Sequence, residues 1–341
     1  MKREKDYILK RLIGTLLSAM LITVLGWNVS QAAEYPDRPI TIIVPFAVGG
    51  TFDVTARMLQ PWLKETLGAP AVIVDNKPGG MGAIGVSAVA RSKADGYTLL
   101  CNDYTATALA NLAVDKPGFE WKDLIPIVTV TYDPRYFFVR KESLYKDMND
   151  FVEDVWKRPG RVTVSIPQGS GAHWQLECVK KVMNLDIKTV GYKGGGPALT
   201  AMLGGHVDAF TSDGLTRDVL RDKLRAIAVV APNRTELFPE TPPCVEHRVF
   251  KEKGIKEIPQ APAAIAIWVH REVKENHPDI FNKLVAALFK VKEHPGFLEK
   301  ARTINMDKIS VWYGTQKSLE MKDQIMKAFQ EYPEIVKMMK E

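Results

Sequence analysis

Ile40–Leu67 reads ITIIVPFAVGGTFDVTARMLQPWLKETL, and this stretch decides the fold class. Its first residues, Ile40 to Pro45, form a short, nearly continuous apolar run. Such a run suits a strand in a sheet covered on both faces. A turn from Phe46 to Phe52 follows, then a helical pattern from Asp53 to Leu67. Val54, Met58 and Trp62 recur at four-residue spacing beside Leu59, Leu63 and Leu67, and Gly68 stops the run. Strand, glycine loop and helix make one half of a βαβ unit.

The unit repeats along the chain. Ala71 to Val74 predicts a strand, Ala83 to Arg91 a helix and Tyr97 to Cys101 a strand. Val162 to Ile166, a helix from Ala172 to Met183 and strand Ile187 to Val190 renew the rhythm. A helix opening at Pro197 and closing at Gly204-Gly205, then strands Val207 to Thr211 and Leu224 to Val230, complete a second run. This order predicts α/β architecture with mainly parallel sheets flanked by helices. Between the runs, Ile125 to Val130 and Arg135 to Val139 flank Asp133-Pro134, the expected first crossing between two domains. Leu224 to Val230 is the expected return. The expected division is domain 1 over residues 33–130 plus 230–341 and domain 2 over residues 131–229. The C-terminal third offers amphipathic helices, Asp279 to Lys292 and Thr315 to Met339, which complete the first domain and brace the second.

The N-terminus predicts export. Lys2, Arg3, Lys5, Lys10 and Arg11 precede an apolar run from Leu12 to Trp27, and Ser30-Gln31-Ala32 suits cleavage before Ala33. The run is shorter than the ~20 residues that span a bilayer. Residues 1–32 are therefore expected to be a signal peptide and the mature chain periplasmic. With five basic and two acidic residues, that segment carries half of the net charge of +6. The remainder, with no basic stretch interleaved with aromatics, excludes a nucleic-acid partner. A monomer is expected. Cys101, Cys178 and Cys244 lie far apart without a C-x-x-C pair, so they read as buried small hydrophobes. One disulfide with a leftover thiol is the alternative.

Three glycine-bearing loops precede helices at strand C-termini, where open parallel sheets bind ligands. The first, Pro45 to Asp53, offers Gly49 and Gly50 and the N–H groups of a helix end, a combination suited to a carboxylate. Asp53 either caps that helix or meets a bridging water or a ligand amine. The second loop, Gln168-Gly169-Ser170-Gly171-Ala172-His173, adds a hydroxyl donor. A plain serine-capped helix end is its alternative, and His173 reads as a structural histidine. The third, Tyr192 to Pro197, lacks the Gly-Lys-Ser/Thr of a phosphate loop. Tyr192 is placed to wall a cleft, and Lys193 reads as solvated. Gly80-Met81-Gly82-Ala83-Ile84-Gly85 matches a dinucleotide fingerprint in letters only. Asp75 to Gly79 separate it from its strand, so it reads as a turn for close packing. With no G-x-S-x-G, H-E-x-x-H or paired carboxylates, no enzyme, metal or cofactor is expected.

These loops carry a family resemblance. Tyr35-Pro36-Asp37-Arg38-Pro39-Ile40, Ile43-Val44-Pro45-Phe46-Ala47-Val48-Gly49-Gly50, Val74-Asp75-Asn76-Lys77-Pro78-Gly79-Gly80, Asp95-Gly96-Tyr97-Thr98-Leu99-Leu100 and Tyr192-Lys193-Gly194-Gly195-Gly196-Pro197 occur in family order. So do Leu203-Gly204-Gly205 and Leu224-Arg225-Ala226-Ile227-Ala228-Val229. The chain resembles the extracytoplasmic receptors of tripartite tricarboxylate transporters, the TctC-like or Bug receptors. The resemblance implies a two-domain type II periplasmic-binding-protein fold. It implies a small carboxylate held in the cleft by main-chain N–H groups and waters, then delivered to membrane permease subunits. Carried over by position, the ligand-binding residues are Ala47, Val48, Gly49, Gly50 and Asp53, then Gly169, Ser170 and Gly171, with Tyr192 and Asp213 as further candidates. Closure is expected to hinge near Val130 to Tyr136 and Leu224 to Val230. Departures also occur. The second loop is short, Asn102-Asp103-Tyr104-Thr105 is bulky and acidic, and Thr131 to Tyr136 is polar and aromatic. They suggest a flat carboxylate against Tyr104, or an amino-bearing ligand paired to Asp103 or Asp213. A receptor feeding a signalling partner, or an exported enzyme on the same scaffold, are the rival readings.

Overall fold

A computed structural model describes residues 34–215 and 217–340. The expected signal segment lies outside the described residues. In chain order the elements are β1 Ile40–Val44, α1 Thr51–Leu67, β2 Val72–Asn76, α2 Ala83–Ala90, β3 Thr98–Asp103, α3 Tyr104–Leu112 and β4 Leu124–Asp133. Then come β5 Arg135–Arg140, α4 Met148–Lys157, β6 Thr163–Pro167, α5 Gly171–Met183, β7 Lys188–Tyr192, α6 Gly195–Leu203, β8 Ala209–Asp213 and β9 Leu224–Val230. The chain ends with α7 Arg248–Glu252, β10 Ala263–His270, α8 Arg271–Asn276, α9 Pro278–Glu293, α10 Pro295–Thr303, β11 Ser310–Tyr313, α11 Thr315–Glu331 and α12 Pro333–Met338.

The strands form a six-stranded sheet, β11-β4-β10-β3-β1-β2, and a five-stranded sheet, β7-β6-β8-β5-β9. The two-sheet α/β architecture is the expected one. Each sheet is mixed. β1 pairs in parallel with β2 and β3, and β6 with β7 and β8, because helices carry those connections. β10 is antiparallel to β3 and β4, and β5 to β8 and β9. These strands enter from the other sheet, so no helical crossover sets their direction.

The crossing at Asp133-Pro134 is abrupt. β4 ends in one sheet at Asp133 and β5 begins in the other at Arg135, with only Pro134 between. A proline lacks the N–H that would continue a ladder. The return differs from expectation. Leu224–Val230 pairs with β5 along its length, and the chain re-enters the first sheet only at Ala263.

Other boundaries move for local reasons. α6 starts at Gly195, so Pro197 sits inside the first turn, ahead of the first ladder bond from the Ala198 N–H to the Gly194 carbonyl. The expected single C-terminal helix is split before Pro333 into α11 and α12. The Gly80–Gly85 run is a packing device: a Cβ on Gly85 would lie 2.7 Å from the Pro45 Cα. The three cysteines are free and buried. No helix among the described residues is long and apolar enough to cross a membrane.

Among the described residues, one buried apolar cluster holds Trp268, fully buried and packed on Tyr104 with ring centroids 4.9 Å apart. In another, Trp174 meets Phe329 edge-on at 5.4 Å and Tyr332 at 6.4 Å. Phe329 belongs to α11, which packs on β4, while α12 packs on α5. The two helices of residues 315–338 thus pack from β4 of the six-stranded sheet across to α5 beside the five-stranded one. Phe329→Ala should lower stability by about 3 to 5 kcal/mol, read by urea denaturation. A loss below about 1 kcal/mol, within the range of an ordinary surface change, would remove this packing from the account.

Candidate functional site

Three helices point their N-termini at one place. The first ladder bond of α1 runs from the Val54 N–H to the Gly50 carbonyl, that of α5 from Trp174 to Ser170, and that of α6 from Ala198 to Gly194. The N–H groups ahead of those bonds, with the helix dipoles, make each end electropositive. Ala47, Gly50, Thr51, Asp53, Ser170, Gly195, Ser212, Asp213, Arg135 and Arg217 line a cavity of about 20 Å³ there, with Phe46, Phe52, Pro167 and Ala172 as apolar walls. That volume admits about one water.

The wall comes from both halves of the molecule, and they touch. The Ala47 N–H donates to the Lys193 carbonyl at 3.0 Å. Gly194 permits this approach, since a Cβ there would stand 2.8 Å from the Ala47 nitrogen. The Thr51 hydroxyl donates to Asp213 Oδ1 at 2.5 Å.

A buried charge network surrounds the cavity. Arg135, 1% exposed, donates through Nη2 to Asp103 Oδ2 at 2.5 Å, through Nη1 to Asp213 Oδ2 at 3.3 Å and through Nε to the Ala261 carbonyl at 2.8 Å. Burial raises the Asp103 pKa while Arg135 opposes the rise. Asp103 also caps α3, accepting from the Ala106 N–H. Asp133 accepts from the Gly214 and Leu215 N–H groups at 2.6 and 3.1 Å. Burial, then the nearby Asp213, push its pKa up to about 7. Arg217 donates to the Leu215 carbonyl and the Ser212 hydroxyl, both at 3.3 Å, and burial lowers its pKa against the pull of Asp213 and Asp133.

The structure brings Ala47, Gly50, Asp53, Ser170 and Asp213 to the cavity wall. Asp53 accepts from the Gly49 N–H at 3.0 Å and from Arg57 Nε at 2.9 Å, holding the loop against α1. Ser170 caps α5, accepting from the His173 N–H. Gly171 faces the Arg135 guanidinium, and Gly169 packs on Met81 from the other half. Val48 and Gly49 stand exposed at the loop tip. Tyr192 is half-buried at the end of the edge strand β7 and is not part of the cavity wall. Tyr104 is a correction: it is fully buried in the cluster that holds Trp268, its hydroxyl 2.5 Å from Thr129 Oγ1. Asp103 likewise serves Arg135 and α3 rather than the cavity wall. His173 is structural, its Nδ1 accepting from the Gly169 N–H at 3.4 Å, and burial lowers its pKa to about 4. Among the described residues no group of three or more His, Cys, Asp or Glu is placed to hold a metal ion.

Arg135 and Arg217 escaped the sequence reading, as did Thr51 and Ser212. The one visible signal was an arginine opening an apolar strand, Arg135-Tyr136-Phe137-Phe138-Val139.

A family model described as the tripartite tricarboxylate transporter family receptor, TctC, matches residues 55–333. The chain belongs to this receptor family. The receptor is 35% identical over 222 residues to protein BugT of Bordetella pertussis, covering 63% of this chain and 68% of BugT. The solved periplasmic binding protein BugD is 26% identical with a TM-score of 0.74, over 90% of this receptor and 98% of BugD. MatC of Rhodopseudomonas palustris, solved with bound malate, shares the fold at 24% identity and a TM-score of 0.76, over 89% of this receptor and all of MatC, 100%.

The Arg135 network yields a direct test. Arg135→Met strands buried carboxylates and should cost about 3 to 5 kcal/mol at pH 7. Without Arg135 the Asp103 pKa rises further above its unfolded value of about 3.9, so the folded state holds a proton the unfolded chain releases. The deficit against wild type should therefore shrink as pH falls from about 7 toward 4. A pH-independent deficit in denaturant titrations would show that Asp103 is not held charged by Arg135.

Proposed function

We propose that this receptor captures a small carboxylate in the cleft between its two halves and delivers it to a tripartite tricarboxylate-type membrane permease from the periplasmic side. One observation carries the reading: the N-termini of α1, α5 and α6 converge on one cavity whose wall also includes two buried guanidiniums. A charged acceptor there gains hydrogen bonds of ~1.5–3 kcal/mol each. Micromolar affinity needs ~8 kcal/mol net. A few such bonds with cleft desolvation supply it after the cost of closure.

The halves are joined at Asp133-Pro134, where one residue separates two strands of different sheets. We infer that closure turns there and along the 231–262 return. The proposed ligand contacts are the main chain of Ala47 to Gly50 and of Gly169 to Gly171, the hydroxyls of Thr51 and Ser170, and the two arginines. No catalytic group is assigned, and the proposed role is binding alone. The closed form, which sets both halves in one arrangement, is the form proposed to dock on the permease.

The test is a thermal-shift screen of the protein without its first 32 residues, against malate, adipate, citrate, aromatic acids and neutral amides. A carboxylate at a hundred times its dissociation constant should add ~2.7 kcal/mol of stability. Gly50→Val should abolish the shift, because a Cβ at Gly50 already meets the Gly195 nitrogen at 3.3 Å. Ser170→Ala should reduce it. A shift from neutral amides and none from acids would contradict the anion site.

A further inference from the structure

One contact across the cleft is made by a carboxylate of the protein itself. Asp213 ends β8 in the five-stranded sheet and is 4% exposed. Its Oδ1 accepts from the hydroxyl of Thr51, the first residue of α1, at 2.5 Å. α1 packs against β2 and β3 of the other sheet, so the bond joins the two halves. The second oxygen, Oδ2, accepts from Arg135 at 3.3 Å. A carboxylate thus lies at a helix N-terminus, held by a hydroxyl and a guanidinium. These are the donors a carboxylate ligand would need from this cavity.

Space makes the two exclusive. The adjoining cavity of about 20 Å³ takes one water, not a carboxylate with a carbon chain. Charge does the same: two carboxylates crowded into one buried site repel, and one must leave or take up a proton. Arg135 does not depend on Asp213, because its shorter bond, 2.5 Å, goes to Asp103. Asp213 can therefore withdraw without leaving the guanidinium without a counter-charge.

We propose that Asp213 is a built-in stand-in for the ligand carboxylate: held in place by Arg135 on the neighbouring strand, it draws the cleft shut through Thr51, and an incoming carboxylate must displace it to bind. The inference rests on the receptor reading above. It adds that Asp213 lowers affinity for carboxylates instead of contacting them, and that the receptor closes on itself when no ligand is supplied. Only carboxylates whose contacts outweigh this internal competitor bind, so the same residue sharpens selection.

The experiment compares wild type, Asp213→Ala, Asp213→Asn and Thr51→Val by calorimetric titration with malate, adipate and citrate, and by small-angle scattering without additive. Asp213→Ala should bind the carboxylate that wild type binds about tenfold more tightly, the equivalent of one charge-assisted hydrogen bond no longer competing. Asp213→Asn, which keeps the shape, should shift in the same direction and covers the case in which the alanine variant folds poorly. Without additive, Asp213→Ala and Thr51→Val should show a larger radius of gyration than wild type. Thr51→Val should gain no affinity, since it removes a donor the ligand uses. Equal or weaker carboxylate binding by both Asp213 variants would overturn the stand-in and make Asp213 neutral or a ligand contact. Carboxylate binding by none of the proteins, wild type included, would instead overturn the receptor reading.

Discussion

Arg135 opens a strand, yet its guanidinium has almost no contact with solvent. Burying such a charge is tolerated only where anions and acceptors surround it. Asp103, at the end of β3, supplies one carboxylate; Asp213, at the end of β8, supplies another; the Ala261 carbonyl completes the set. These partners come from the six-stranded sheet, the five-stranded sheet and the segment that returns between them. The electrostatic need of one side chain thus ties together the parts of the chain that meet at the cleft.

The helix ends depend on the same meeting. α1, α5 and α6 follow strands of parallel pairs, so their N-termini fall on the edge where those strands stop. Glycines let the loops of opposite halves come within hydrogen-bonding distance, as at Gly194 against Ala47. Bringing three positive helix ends and two guanidiniums together is unfavourable unless negative charge sits among them. Asp53, Asp103 and Asp213 provide it from within the chain. A ligand carboxylate is the proposed external source. Membership in a receptor family of tripartite tricarboxylate transporters agrees with that chemistry.

Much of the frame was legible because it is written in local periodicity. β1, α1 and β9 stand where alternation of apolar runs, helical spacing and glycine stops put them. The parts that were not legible owe their place to distant neighbours. α3 is buried from Tyr104 to Ala110, so the segment carries no charged face to give a helical period, and only the capping Asp103 marks its start. β10 reads as an alanine-rich apolar run, and its position between β3 and β4 follows from a return across 231–262 that no short pattern reveals. At the site, the glycine loops announced themselves by composition. Arg135 and Arg217 did not, because an arginine in a sequence reads as a surface residue until its carboxylate partners are known. Tyr104 failed for the converse reason: its aromatic ring, next to a loop, suggested a cleft wall, while Trp268 and Thr129 hold it in the core.

The most direct measurement is a crystal structure of the protein grown with the carboxylate that stabilises it most. The account predicts carboxylate oxygens within ~2.7–3.1 Å of the Thr51 and Ser170 hydroxyls or the N–H groups that open α1 and α5, between two halves in contact. A ligand bound elsewhere, such as the open pocket beside His173 and Glu177, with the ends of α1 and α5 left to solvent, would contradict it.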